Sequence, residues 1–176
     1  MKRFSAIPVA IIVAVATLLL TQGGGEVADT GSVAGPALPG NARAAAVVRV
    51  VDGDTVELGG GLGKSRLIGV DTPEVYGGVE CYGPEASAYA KRQLDGRRVR
   101  YTVGREARDR YGRLLVYLWL EDGRSFNALL MSRGFARPLT IQPNGDYAAV
   151  FAALSRRARE RGIGLWARDA CGAAAQ

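Results

Sequence analysis

Between Ala45 and Val70 the chain is cut into short pieces by glycine. The Asp52-Gly53 pair separates the apolar run Ala45–Val51 from Thr55–Leu58, and Gly59, Gly60, Gly61 and Gly63 separate that piece from the run Arg66–Val70. Pieces this short, bounded by turn-forming residues and rich in Val, Thr and Leu, read as strands, because an isolated helix needs about 10 residues to hold itself. The expectation is three strands in a meander.

Downstream the pattern changes. Pro84 and Glu85 suit the first turn of a helix, Ala86, Ala90 and Leu94 recur at helical spacing, and Asp95-Gly96 stops the run. Arg97–Val103 alternates with Val99, Tyr101 and Val103 on one face, and Leu114–Leu120 reads as a fifth strand, with Arg105–Arg113 as the loop between them. Ser125 is placed to cap a short helix over Phe126–Met131 that Gly134 ends. After the turn Pro143-Asn144-Gly145, residues Tyr147–Arg161 make an amphipathic helix, and Leu165 and Trp166 make a closing patch. Five short strands with an inserted helix and two trailing ones fit a mainly β protein with α elements: a five-stranded Greek-key barrel of the oligonucleotide-binding (OB-fold) type with three helices.

The ends have another character. Lys2 and Arg3 precede the apolar run Ile7–Leu20, so residues 1–22 read as a signal peptide or a signal anchor. Residues 23–44 have little to bury and read as a flexible linker, which leaves 45–171 for the folded unit and 172–176 as a tail. The expectation is a secreted or extracellular protein, or alternatively a membrane-anchored one with the domain outside. In that compartment Cys81 and Cys171 are expected to form a bridge; the alternative is a reduced, buried pair. There is no histidine, which argues against a structural zinc site.

Charge is unevenly spread. The chain carries a net charge of +6, and between Arg97 and Arg113 there are seven arginines against two acids, Glu106 and Asp109. A concentrated basic stretch favours a polyanion partner, nucleic acid above all, over a merely solvated strand pair. Acids stand close to it in the sequence. Asp52 and Asp54 face the same way if the strand runs through them, and paired carboxylates repel unless a cation or an arginine lies between them. Asp71 ends the third strand, and Pro73 holds Thr72 out of the helical region, turning its carbonyl toward a bound ion. Asp54, Asp71 and the Thr72 carbonyl form a hard-oxygen set suited to Ca²⁺, with Mg²⁺ also open. Asp52 is a supporting residue whose side chain alternatively caps the local backbone. Glu74 is placed to accept a proton from water or to orient it. Arg66 and Arg113 offer rigid donor forks for a phosphate, Tyr111 a hydroxyl or a stacking face, and Arg110 a charge that tracks the backbone of a nucleic acid.

These segments resemble the thermonuclease family, the staphylococcal nuclease-like secreted nucleases. The matching pieces are VVDGDTVEL, RLIGVDTPE, YGPEAS, DRYGR, NALLMSRGFA and GLW, in family order between Val47 and Trp166. The resemblance implies a five-stranded barrel with three helices and a calcium-dependent phosphodiesterase activity that cleaves single-stranded or locally opened DNA and RNA, as a monomer, to leave 3′-phosphate ends. It implies Asp54, Asp71 and the Thr72 carbonyl as Ca²⁺ ligands, and Glu74, Arg66 and Arg113 as the catalytic residues. Tyr111 would line the phosphate pocket. The alternative is an OB-fold module that binds nucleic acid without cutting it. One departure stands out: where the staphylococcal pattern has two tyrosines before Pro-Asn, this chain has Leu139 and Ile141.

Overall fold

The computed structural model describes residues 34–171; the expected leader and the C-terminal tail lie outside the described residues. Seven strands and three α-helices follow in the order β1 (Arg43–Val50), β2 (Thr55–Leu58), β3 (Gly63–Leu67), β4 (Gly69–Asp71), α1 (Gly83–Leu94), β5 (Arg98–Arg108), β6 (Leu114–Trp119), α2 (Phe126–Ser132), β7 (Arg137–Leu139) and α3 (Ala148–Glu160), with a 3₁₀ turn at Gly164–Trp166.

The glycine-punctuated stretch forms the meander. β1 pairs antiparallel with β2 and β2 with β3, and the barrel closes as β1-β2-β3-β6-β5. The pairing of β3 with β6 is parallel, Arg66 lying opposite Leu115, and β5 returns antiparallel to β1. A closed five-stranded barrel with three helices is the OB-type architecture. Closure leaves no free edge among the five barrel strands.

Inward-facing Val47, Val56, Leu58, Leu67, Val99, Tyr101, Val116 and Leu118 are each at most 3% exposed. Every barrel strand thus supplies apolar residues to one core, which continues between the barrel and the helices through Leu94, Phe126, Leu130, Met131 and Phe151. Ring stacking continues it, with Tyr89 against Phe135 at 4.4 Å and against Phe126 at 6.0 Å. Ser125 caps α2, its side chain accepting from the Ala128 N–H, and Pro84 occupies the first turn of α1.

Three boundaries differ from the sequence expectation. The run Arg66–Val70 is not one strand: it breaks at Ile68, and β4 leaves the barrel to pair with β7, a strand not expected at all. The break falls at Gly69, whose φ of +80° is open to glycine and whose missing side chain leaves room for the Phe151 ring. Asn127, fully buried, ties the break down by donating to the Ile68 carbonyl and accepting from the Leu118 N–H. β5 runs on to Arg108, so the loop shrinks to its last residues. β1 begins at Arg43, and the Pro36 carbonyl before it accepts from the Trp119 indole N–H at 3.0 Å.

Cys81 and Cys171 are joined in a disulfide. It ties the segment after Glu74 to the chain's last described residue. Among the described residues no helix is long and apolar enough to cross a membrane.

Candidate active site

Asp54 ends the turn between β1 and β2. The strand does not run through Asp52 and Asp54 as the same-face expectation required; it stops at Val50 and the Asp52-Gly53 bend follows. Asp52 Oδ1 accepts from the Asp54 N–H at 3.0 Å, so its carboxylate braces the turn. Burial, and then the neighbouring Asp54 charge, push the Asp52 carboxyl above the ordinary carboxylate value. Gly53 lets this turn abut Thr72, since a Cβ there would lie 2.6 Å from the Thr72 hydroxyl.

Asp54 is 6% exposed and fully engaged. Its Oδ2 accepts from the Thr72 N–H at 2.8 Å and the Thr72 hydroxyl at 3.1 Å, and its Oδ1 from the Thr55 hydroxyl at 3.2 Å. Arg66 Nη1 forms an ion pair with the same Oδ2, while Arg66 Nη2 donates to Asp71 Oδ1 at 2.9 Å. One guanidinium therefore bridges two carboxylates carried by separate sheets. Asp54 hangs from the barrel, Asp71 from the β4–β7 ribbon.

The same arginine reaches a second group. Arg66 lies opposite Leu115 in the parallel pairing, and Arg113 stands two residues before Leu115, so all three side chains share one face. They line a cleft of about 480 Å³ together with Asp109, Arg110 and Tyr111. Asp109 organises the loop. Its Oδ1 accepts from the Tyr111 and Arg113 N–H groups, both at 2.9 Å, and its Oδ2 from Arg113 Nε at 2.7 Å. Burial raises the Asp109 carboxyl, but the hydrogen bond from the Arg113 side chain and those from the Arg113 and Tyr111 backbones outweigh it and hold the group below its ordinary value. With Nε taken by Asp109, the two Nη groups of Arg113, a residue that lines the cleft, make no hydrogen bond among the described residues. Tyr111 is 68% exposed, with its hydroxyl accepting from Arg110 Nη2 and its ring under both the Arg110 and Arg113 guanidinium groups, at 4.8 and 5.5 Å.

Glu74 is not drawn into either group. Its N–H donates to Glu80 Oε2 at 3.2 Å and its carbonyl accepts from the Glu80 N–H at 2.9 Å. Its exposed carboxylate has no hydrogen-bond or ion-pair partner among the described residues. The backbone is braced and the acid is left free.

One feature escaped the sequence reading. Asn144, 4% exposed, lies under the cleft and clamps β5, its side chain bonding both the N–H and the carbonyl of Glu106. The signal was the Pro143-Asn144-Gly145 turn, which hid a long-range clamp behind a local role. Leu139 and Ile141 form an apolar cleft wall at 39% and 65% exposure.

Asp54, Asp71 and Thr72 offer oxygen only, and two carboxylates against one guanidinium leave one negative charge over, so their chemistry fits a hard cation. Among the described residues there is no group of three or more acidic, histidine or cysteine side chains, so a cation there must take much of its shell from water or from ligand oxygens. Arg66 Nη1 is buried against Asp54 Oδ2, so this guanidinium is held in place by the carboxylates that it bridges.

A small closed barrel with arginines gathered at a cleft beside a carboxylate pair is an OB-type protein whose cleft suits an anion. Residues 64–168 match the family described as staphylococcal nuclease homologue. The chain belongs to that family. It is similar to the thermonuclease of Staphylococcus intermedius, 39% identical over 127 residues that make up 69% of this chain and 75% of that protein. It is also similar to the thermonuclease of Staphylococcus hyicus, 38% identical over 125 residues, 68% of this chain and 73% of that one. The SPbeta prophage-derived endonuclease YokF of Bacillus subtilis (strain 168) is 30% identical over 128 residues, 69% of this chain and 43% of its own length. Membership supports a nuclease-type hydrolase function.

Proposed function

We propose that the protein is a calcium-dependent phosphodiesterase that hydrolyses DNA and RNA and leaves 3′-phosphate ends. The observation that carries this reading is the double engagement of Arg66, which bridges Asp54 and Asp71 while lining the cleft that holds Arg113. A binding barrel has use for the arginines but none for carboxylates that repel the same phosphates. The names of the relatives, thermonuclease and endonuclease, point the same way.

In this reading Arg66 and Arg113 grip the non-bridging oxygens of the scissile phosphate. As water adds to phosphorus, negative charge grows on those oxygens, and two fixed guanidinium groups stabilise it more than they stabilise the ground state. The unpaired Glu74 carboxylate takes the proton of the attacking water, or orients that water. The P–O5′ bond breaks, the 5′ oxygen takes up a proton from solvent, and the phosphate stays on the 3′ side. Asp54, Asp71 and the Thr72 carbonyl would hold Ca²⁺, which when bound supplies positive charge and a hard-oxygen meeting point at the phosphate. Tyr111 and Arg110 bind the backbone beside the scissile group. The substrate enters single-stranded or locally opened, and the protein acts as an exported monomer, released or tethered by its leader.

The test is digestion of denatured DNA in Ca²⁺ and in chelator, with analysis of the new ends, by the native protein and by Arg113→Ala. Arg113 is the cleaner choice, because removing Arg66 would leave two carboxylates without their shared counter-charge. The expected result is 3′-phosphate ends in Ca²⁺ only, and a fall of about 10²- to 10³-fold in kcat for the variant. Unchanged kcat in folded Arg113→Ala protein would reject the role given to that residue, and binding without new ends in Ca²⁺ would reject the enzyme.

A further inference from the structure

A second basic depression shares strand β7 with the cleft. It has a volume of about 350 Å³ and is lined by Arg137, Pro138, Ser155, Arg156, Arg159 and Trp166, together with Ala152. No carboxylate lines it. Pro138 in this groove is bonded to Leu139 in the wall of the cleft, so β7 contributes residues to both depressions.

The groove is assembled by helix spacing. Ala152, Ser155, Arg156 and Arg159 recur at i, i+3, i+4 and i+7 on α3, which puts them on one stripe facing β7 and the 3₁₀ turn. The Trp166 ring holds the Arg159 guanidinium at 4.2 Å and that of Arg137 at 5.9 Å, fixing two cations about one plane. Arg137, Arg156 and Arg159 are exposed, and none of them has an acidic partner among the described residues. By contrast, Arg105 pairs with Asp146, Arg49 with Glu57 and Arg124 with Asp122. Trp166 adds a buried indole N–H with no acceptor. Three like charges with no counter-charge, oriented by an aromatic ring beside an orphaned donor, form a site for an anion.

We propose that this groove binds a backbone phosphate of the same nucleic-acid strand, beyond the scissile phosphate, so that a long substrate is held at two places joined by β7. The inference rests on the phosphodiesterase reading for its choice of anion. It assigns the groove to affinity for long substrates and leaves bond cleavage to the cleft.

The experiment is equilibrium binding of a fluorescein-labelled 20-nucleotide oligo-dT, in chelator, by the purified protein and by Arg156→Gln and Arg156→Gln/Arg159→Gln variants across a salt series. Losing two phosphate contacts to a single strand lowers the slope of log K against log[salt] by about 1.4 and weakens binding at 0.1 M salt roughly 10- to 30-fold. Affinity for a dinucleotide, whose single phosphate cannot occupy the cleft and the groove at once, moves less than twofold. Arg156 makes no ring or ion contact, so its single variant tests the groove without disturbing the Trp166 stack, with an expected slope change of about 0.7. An unchanged slope and Kd in both variants, or equal weakening of the long and the short ligand, overturns the proposal. So does groove-dependent binding to anionic phospholipid vesicles without any to the oligonucleotide. Groove-dependent oligonucleotide binding in a protein that releases no ends in Ca²⁺ supports the groove and sinks the phosphodiesterase instead.

Discussion

Replacing both half-cystines, as Cys81→Ser/Cys171→Ser, removes a link between residues 90 positions apart. In the chain-entropy account a loop of that length restricts the unfolded chain by about 15 cal/mol/K, or about 4.6 kcal/mol at 25 °C. That is about 30% or more of the stability of a typical domain, for which the range is about 5 to 15 kcal/mol. The native side gives up little. The bridge sits at the surface beside the end of the described chain, and the barrel core owes nothing to it. Urea unfolding of the two proteins, followed by tryptophan fluorescence, should separate them by about 4 to 5 kcal/mol, and the melting temperature should fall by roughly 10 to 18 °C. The m-value should rise in the double serine variant, because an uncrosslinked chain exposes more surface on unfolding. A loss below about 1.5 kcal/mol with unchanged m would refute the reasoning, since the constraint would then be absent from the unfolded chain.

Asp109→Asn should loosen the Arg113 side chain and cost about 1 to 2 kcal/mol at neutral pH. In the native protein that contribution stands above the ordinary carboxylate value of 3.8 and is lost as pH falls through the lowered folded value, so the gap between the two proteins in urea melts should hold from pH 7 down to that ordinary value and narrow below it. Tyr117 behaves in the opposite sense: burial first, then the Asp146 charge, pushes its hydroxyl up to about 12. The unfolded chain gives up that proton near pH 10 while the folded protein keeps it, so about 2 to 3 kcal/mol should be lost between pH 10 and 12. Tyr117→Phe should flatten that limb, and an unchanged alkaline slope would contradict the assignment. Gly69→Ala should destabilise by about 2 to 4 kcal/mol, from the positive φ and from a Cβ placed 2.7 Å from the Phe151 ring, and a neutral result in thermal melts would count against the strand break.

Much of the barrel was legible in turn chemistry. Asp52-Gly53 and the glycines from 59 to 63 mark the corners of the meander, and Pro84, Glu85 and Ser125 mark helix starts. What stayed hidden depends on contacts far apart in sequence. β7 is three exposed residues, Arg137–Leu139, too short to show a period, and it exists only because β4 peels away to meet it. Nothing local distinguishes Ile68-Gly69 from a continuing strand; Phe151 and Asn127, more than fifty residues on, decide it. At the site, residue types implied a cation and a phosphate. That Arg66 itself lies between Asp54 and Asp71 follows from distances no spacing rule supplies.

The separation of Asp54 on the barrel from Asp71 on the β4–β7 ribbon has a mechanical consequence. The site is a seam, and Arg66 is the one stitch across it among the ion pairs of the described residues. A ligand that touches both sides adds a second stitch and raises the temperature at which the protein unfolds in proportion to how tightly it is held. Conversely, a substitution that loosens the ribbon, even at Pro138 and away from the chemistry, weakens every ligand of the seam together. Thermal shift and affinity should therefore rise and fall as one quantity across variants of β7.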